Sequence, residues 1–494
     1  MRVTELMQRM PGSFTPSARA AWAAQAAGLS VSGITANSRE VRPGFVFAAL
    51  PGSAQDGRRF IGDAVARGAA MVLAPPGTEW PAGVPPRPMI LDDQPRRRLA
   101  QMAAALAGAQ PRVIAAVTGT NGKTSTVDFL RQIWMFGDTP AASLGTLGLV
   151  APGMPPGAGL TTPDPVSLAA TLAALAAAGI QHAALEASSH GLDQFRLDGV
   201  RLAAGAFSNL TRDHLDYHGG MEAYRAAKLR LFSELLPRGA PALSSTTLDA
   251  DSQAMLRQTA ARAGLVLGTV GESGSIIRLD RATPVAAGQV LELTLAGGRK
   301  LSLTLPLPGR FQAENALLAA GLACMLGLPS AVEQLARLQG VRGRLERAAT
   351  LANGAAAYVD YAHTPDAISR ALDALRPHAA GRLVIVLGAG GDRDRGKRPL
   401  MGAAGQAGAD AVIVTDDNPR TETAATIRAA VMAGCPGAIE IGDRRAAIAA
   451  GLEMLGTGDV LVVAGKGHEL GQIVGRETLP FDDAAVIREL AGAA

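Results

Sequence analysis

Short apolar runs with abrupt polar endings recur along this chain, and their spacing predicts its architecture. "VIAAV" (Val113–Val117) reads as a buried strand, and the segment after Lys123 carries Val127, Leu130 and Trp134 at helical spacing. "HAALEASSH" ends in Glu186, Ser188 and His190, and "AAGAFSNLTRDHLDYH" ends in Asn209, Asp213 and His214. Farther on, "LVIVLGAGGDRDRGKR", "AVIVTDDNPR" and "VLVVAGKGHE" repeat the design. Alternating strands and helices from Ala109 onward argue for a mostly parallel sheet. Such sheets bind ligands beyond the carboxyl ends of their strands, so two crevices are expected, one from each set of three runs.

The first hundred residues read differently, as short strands, turns and one helix closed by the Pro-rich stretch "PPGTEWPAGVPPRPM". A turn-rich, charged segment, "GVRGRLER", interrupts the pattern near residue 342. The expectation is an α/β protein of three domains: 1–108, built of short strands, turns and a helix; 109–341, a central mostly parallel sheet; and 342–494, a further set of apolar strands ending in charge.

Composition narrows the function classes. With 494 residues the chain is too long for one ordinary core. Apolar content of 48% and charged content of 18% describe a globular protein, not a disordered one. A net charge of +4, without a basic run or aromatic-basic stripe, argues against nucleic acid. Alanine-rich stretches such as "AATLAALAAAG" break well short of the roughly 20 apolar residues that a membrane span needs. "MRVTELMQRM" has no uninterrupted apolar core and is not a secretory signal. Cys324 and Cys435 read as reduced thiols of a cytoplasmic protein.

Chemistry enters between the Val113–Val117 strand and the following helix. "TGTNGKTS" places Gly119, Thr120, Asn121, Gly122, Lys123, Thr124 and Ser125 at that junction. Backbone N–H groups there can surround an anion, the lysine adds charge, and the Thr124 hydroxyl can hold Mg²⁺. Val117 stands where the usual phosphate loop has its first glycine, so this is a shorter variant. Glu186 ends a strand expected beside that loop, and a hard carboxylate suits Mg²⁺, although a capping or salt-bridging glutamate would look the same. His214 and His218 stand four apart, but without a cysteine cluster or an H-E-x-x-H pattern they do not argue for zinc. Lys228, read alone, is a solvated helical lysine. "GAGGDR" starts like a dinucleotide fingerprint but puts Arg393 where the third glycine belongs, which argues against NAD. The cluster Arg393, Arg395, Lys397 and Arg398 directly follows a buried strand, which favours an anion site over a solvated face.

Taken in order, "TGTNGKT", "EASSH", "NLTRDHLDYHG", "NALLAA", "VDYAHTPDA", "GGDRDRGKRPLM", "TDDNPR" and "GKGHE" closely resemble the Mur ligases of peptidoglycan synthesis. Within that family the resemblance is to members that add meso-diaminopimelate to UDP-N-acetylmuramoyl-L-alanyl-D-glutamate. It implies three domains: a small α/β N-terminal domain for the uridine nucleotide, a central P-loop ATPase-type domain, and a C-terminal Rossmann-like domain for the incoming amino acid. It also implies ATP as co-substrate and an acyl-phosphate intermediate. Lys123 would stabilise the transferring phosphoryl group. Thr124, Glu186, His214 and a carbamylated Lys228 would serve Mg²⁺. Asn315, Arg344, Asp360 and His363 match adenosine and phosphate contacts. Ser38, Ser53, Thr161, Thr162, Ser188, Gln194 and Arg196 match the uridine-substrate positions. Arg393, Asp417, Asn418, Pro419, Arg420, Gly465 and Glu469 match those for diaminopimelate. A cytoplasmic monomer is expected. Asn37 replaces the family's usual aspartate, Ser53 a common histidine, and "GRFQAEN" lacks a frequent Phe-Asn pair. A folylpolyglutamate-synthase-type ligase shares the loop but explains "TTPDP" and "DNPR" less well. A small-molecule kinase has no need of the second charged crevice, and a non-enzymatic nucleotide module none of the acidic residues beside the loop.

Overall fold

The computed structural model describes residues 1–10, 28–52, 55–155, 157, 160–285 and 288–492. These gather into two compact units. The first holds Met1–Lys123, Gly137–Gly268 and Met325–Leu328; the second holds Thr124–Phe136, Thr269–Cys324 and Pro329–Ala494.

The first unit contains a small four-stranded sheet in sequence order, β1 (Gly33–Thr35), β2 (Phe45–Ala48), β3 (Met71–Ala74) and β4 (Met89–Leu91). All its pairings are parallel. The same unit contains β5 (Val113–Thr118), β6 (Ala141–Gly145), β7 (Gly148–Val150), β8 (His182–Glu186), β9 (Ala204–Phe207) and β10 (Pro241–Ser245), ordered β10-β9-β5-β8-β6-β7. Only the β6–β7 hairpin is antiparallel. β5 is wholly apolar before Thr118 because it is covered on both faces, the usual condition of a central parallel strand. In register, Val117 faces Glu186 on one side and Ala206 on the other. The three polar endings read from the sequence are therefore neighbours.

The helix Lys123–Phe136 follows the glycine loop directly, and its expected apolar positions Val127, Leu130 and Trp134 are buried. β11 (Val266–Gly271) leads into the antiparallel strands β12 (Ile277–Val285), β13 (Gly288–Leu295) and β14 (Lys300–Leu305).

The second unit also contains a six-stranded sheet, built from β15 (Glu346–Thr350), β16 (Ala356–Asp360), β17 (Leu383–Leu387), β18 (Ala411–Val414), β19 (Ile439–Glu440) and β20 (Val460–Ala464). Its order is β15-β16-β20-β17-β18-β19, and every pairing except β15–β16 is parallel. Two apolar clusters cover its faces, one around Ile368, Leu375 and Met401 and the other around Ile448, Leu452 and Ile487. A short hairpin, β21 (Gly471–Val474) and β22 (Glu477–Pro480), follows β20. Among the described residues no helix is long and apolar enough to cross a membrane.

Candidate active site

The glycine loop of the first unit is held open by backbone geometry that side chains do not tolerate. Gly119 has φ +147°, and a Cβ there would lie 1.9 Å from Ser208 Oγ; Gly122 has φ +84°. The loop is tied to the segment after β9. Thr120 N donates to Asn209 O (2.9 Å), Asn121 N donates to Asn209 Oδ1 (2.9 Å), and Ser208 Oγ donates to Asn121 O (2.6 Å). Two ammonium groups meet at its first carbonyl. Lys123 Nζ donates to Gly119 O at 3.0 Å and to Thr120 O at 2.9 Å, and Lys228 Nζ donates to Gly119 O at 2.8 Å. Thr124 and Ser125, next along the chain, are buried.

Lys228 is the first correction to the residue-by-residue reading. It is only 1% exposed, with Nζ 4.4 Å from the Tyr224 ring centroid. Burial, reinforced by the nearby Lys123 charge, pushes its pKa well below the ordinary lysine value. Nothing in the local helical pattern marks this. The signal lies in packing against a loop 109 residues away.

Glu186 is buried at the end of β8 and accepts from Thr146 N (2.7 Å) and Thr146 Oγ (3.3 Å). From it a hydrogen-bonded chain reaches most of the positions expected for the uridine substrate. Thr146 Oγ meets Thr161 Oγ at 3.1 Å, Thr162 Oγ donates to Glu186 O at 2.8 Å, and Thr162 Oγ meets Ser188 Oγ at 3.0 Å. Arg196 donates to Thr162 O at 2.6 Å and to Gln194 Oε1 at 2.8 Å. Gln194 and Arg196 also line a cavity of about 460 Å³ with Asn37, Glu40, Arg96 and Asp164. Asn37 caps its turn by accepting from Arg39 N (3.1 Å) and donating to Glu40 Oε1 (2.9 Å). Ser38 is half-buried in that turn, and Ser53 lies outside the described residues.

His214 has φ +51° and is exposed, its Nε2 3.4 Å from Asp213 Oδ2. His190 packs against it (4.9 Å between ring centroids) and against His218 (5.5 Å). Among the described residues no three His, Cys, Asp or Glu side chains are arranged to hold a metal by themselves. A buried hard carboxylate at a phosphate loop nevertheless fits Mg²⁺, which takes few protein ligands and completes its shell with phosphate and water.

In the second unit the expected adenosine positions come together. Gln312 links Asn315 (3.2 Å) to the Arg344 carbonyl (2.9 Å). Asp360, at the end of β16, accepts from Leu345 N and Ala362 N, both at 2.8 Å. Arg344 Nε is buried without a hydrogen-bond partner, and its guanidinium carbon lies 4.8 Å from the Tyr361 ring centroid. His363 follows on the same turn, its Nδ1 2.8 Å from Tyr361 O. His468 packs on Tyr361 from the other loop (5.0 Å), and burial next to Arg344 and Arg342 holds its pKa down to about 4.

The ends of β17, β18 and β20 lie level, Leu387 facing Val414 and Val386 facing Val463. Beyond them Asn418 Nδ2 donates to Glu469 Oε2 (2.8 Å), and buried Lys466 donates to Asn418 Oδ1 (2.8 Å). Gly465, with φ +115°, leaves room for Asp417, whose Oδ2 would lie 2.5 Å from a Cβ there. Arg420, also left-handed at φ +52°, follows Pro419 and donates to Gly391 O at 2.8 Å. The basic cluster after β17 divides. Arg398 is buried against Glu422 (2.8 Å), Arg395 also pairs with Glu422 (3.2 Å), and Lys397 donates to His363 O (2.9 Å). Arg393 alone of the four is an exposed arginine with no such commitment in the described structure. Sequence reasoning missed Thr146, Ser208, Tyr224, Tyr361, Lys466 and His468; of these Ser208, Tyr361, Lys466 and His468 stand in or beside a recognisable motif, and Thr146 and Tyr224 do not.

A strand-loop-helix cradle with two lysines, and a second crevice of paired charges, suit an enzyme that uses a nucleotide phosphate together with a charged second substrate. Family models match the chain in three places: the Mur ligase family catalytic domain at residues 30–106, the Mur ligase middle domain at 117–323, and the Mur ligase glutamate ligase domain at 343–467. The chain belongs to the Mur ligase family. It is 54% identical over 465 residues to a UDP-N-acetylmuramoyl-L-alanyl-D-glutamate–2,6-diaminopimelate ligase of Caulobacter vibrioides, covering 92% of this chain and 94% of that one. The ligase of the same name from Rhizobium meliloti is 50% identical over 496 residues, covering 100% of both. A solved structure bearing that name matches with a TM-score of 0.69 at 34% identity, covering 94% of this chain and 95% of the other.

Proposed function

We propose that this enzyme joins meso-diaminopimelate to the D-glutamate of UDP-N-acetylmuramoyl-L-alanyl-D-glutamate, forming an amide as ATP is cleaved to ADP and phosphate. A carboxylate oxygen of the substrate attacks the γ-phosphorus and ADP leaves. The amine of the amino acid then attacks the acyl carbon, and the tetrahedral intermediate expels phosphate. The protein contributes positioning and charge neutralisation. The observation that carries the reading is the convergence of Lys123 and Lys228 on Gly119 O, beside the strand that ends in Glu186.

Lys123 swings from its loop carbonyls to the phosphoryl group in transfer. Lys228, buried and with its basicity suppressed, supplies a neutral amine that adds to CO₂, forming an N–C bond and releasing one proton. Glu186, His214 and that carbamate would hold Mg²⁺, which supplies further charge neutralisation at the phosphates when bound. Thr161, Thr162, Ser188, Gln194 and Arg196 orient the uridine substrate. In the second unit Asn315, Arg344, Asp360 and His363 serve the adenosine and phosphates. Arg393, Asp417, Asn418, Arg420, Gly465 and Glu469 serve the amino acid. We assign the domains as 1–108, 109–341 and 342–494, working as a monomer in the cytoplasm.

The test is phosphate release from ATP. It should require the UDP-muramoyl dipeptide and diaminopimelate together; release with either one alone at a comparable rate refutes the assignment.

A further inference from the structure

Arg230 stands two residues beyond Lys228, at the end of the helix Met221–Arg230 and just before a π-helical turn, Leu231–Leu235. Two helical steps rotate a side chain by roughly 200°, so the two cations point to opposite sides. Lys228 faces the glycine loop. Arg230 faces the turn Leu192–Asp198, which carries Gln194 and Arg196. There one guanidinium binds three acceptors: Nη1 donates to Leu192 O (2.5 Å), Nη2 to Asp198 Oδ1 (2.5 Å) and Nε to Glu234 Oε2 (3.2 Å). Its flat face covers the Phe195 ring, with Cζ 4.1 Å from the centroid. Asp198 is 1% exposed and takes a second cation, Arg97, at 2.9 Å.

The turn needs this support. Phe195 sits in the left-handed region at φ +59°, where a bulky L-residue is strained unless its surroundings hold it. That backbone inversion aims the flanking side chains, and Arg196 and Gln194 are then joined to each other and to Thr162 O. We propose that Arg230 is a positioning residue for the uridine-nucleotide substrate. It clamps the strained Phe195 turn so that Gln194 and Arg196 are already arranged when substrate arrives, and it fixes that turn to the helix carrying Lys228. The inference rests on the reading of Gln194 and Arg196 as substrate contacts.

Steady-state kinetics of Arg230→Gln, Phe195→Gly and Arg196→Ala in the full chain test it. Phe195→Gly removes the ring but accepts the positive φ, so it should fold even where Arg230→Gln destabilises the buried Asp198. The expected result is a rise of about tenfold or more in KM for the UDP-muramoyl dipeptide in both clamp variants, the size of effect expected when contacts lose their pre-organisation. The KM for ATP and for diaminopimelate should stay near wild type. In a double-mutant cycle, Phe195→Gly with Arg196→Ala should raise the dipeptide KM little more than Arg196→Ala alone, because the clamp acts through that arginine and through Gln194, which the arginine itself holds at 2.8 Å. Additive effects, or equal rises in all three KM values, overturn the positioning role. If Arg196→Ala itself leaves the dipeptide KM unchanged, the substrate reading of the turn fails instead, and the clamp proposal fails with it.

Discussion

Replacing Arg420 by alanine should cost the amino-acid site about 10²-fold of its selectivity. The backbone of Arg420 is pinned independently of its side chain: its N–H donates to Ile473 O (3.0 Å), and its carbonyl accepts from Gly475 N (2.7 Å). The left-handed φ of +52° strains arginine and alanine alike, so truncation removes the guanidinium without loosening the loop. One of its five donors is used on Gly391 O, which leaves a fork's worth of N–H groups for a ligand carboxylate. Two charge-assisted hydrogen bonds contribute about 1.5–3 kcal/mol each. Arg420 is half-buried, so the lower end applies, and about 3 kcal/mol is a factor of roughly 10². The KM for meso-diaminopimelate should therefore rise about 10²-fold, while the KM for ATP stays within about twofold of wild type. The unmodified enzyme should reject L-lysine, which lacks the distal carboxylate, by roughly 10⁴–10⁵, and Arg420→Ala should lower that preference about 10²-fold. Phosphate release with each amino acid as the varied substrate measures both. Comparable use of lysine by the unmodified enzyme, or an Arg420→Ala KM within threefold of wild type, refutes the reasoning.

Lys123→Ala should cut turnover by about 10²–10³ with an unchanged circular-dichroism spectrum, since a charge that stabilises the transferring phosphoryl group is lost; near-normal turnover would exclude the role. Lys228→Arg preserves charge but cannot form a carbamate, so ligation should collapse, and bicarbonate should stimulate the wild type alone. An active, bicarbonate-insensitive wild type with a functional Lys228→Arg variant would remove the carbamate from the mechanism. His468 is held neutral down to about pH 4 in the folded protein, against an ordinary value near 6.5. The unfolded chain therefore binds more protons between those limits, and this histidine's effect on stability improves as pH rises from about 4 to 6.5 and is flat above. The thermal midpoint of His468→Gln should fall less steeply than wild type on acidification; parallel curves would contradict the shift.

Local pattern alone determined a good deal. The β5 strand, the glycine loop and the helix after it are written in consecutive residues, because strand and helix periods and glycine's tolerance of positive φ act over a few positions. The level endings of β5, β8 and β9, and of β17, β18 and β20, follow from the same periodicity together with the rule for parallel sheets. What each charge does at those endings was not legible. Arg393, Arg395, Lys397 and Arg398 read as equals, yet only the fold buries Arg398 on Glu422, 24 residues on, and leaves Arg393 exposed. Lys228 reads as a solvated helical residue until the helix meets a carbonyl 109 positions earlier. Asp198 and Arg230, 32 residues apart, and Thr146 and Glu186, 40 apart, carry no mutual signal along the chain. Secondary structure is set by short-range backbone geometry, whereas the desolvation and pairing of a charge depend on which distant surface closes over it. That decision belongs to the tertiary structure.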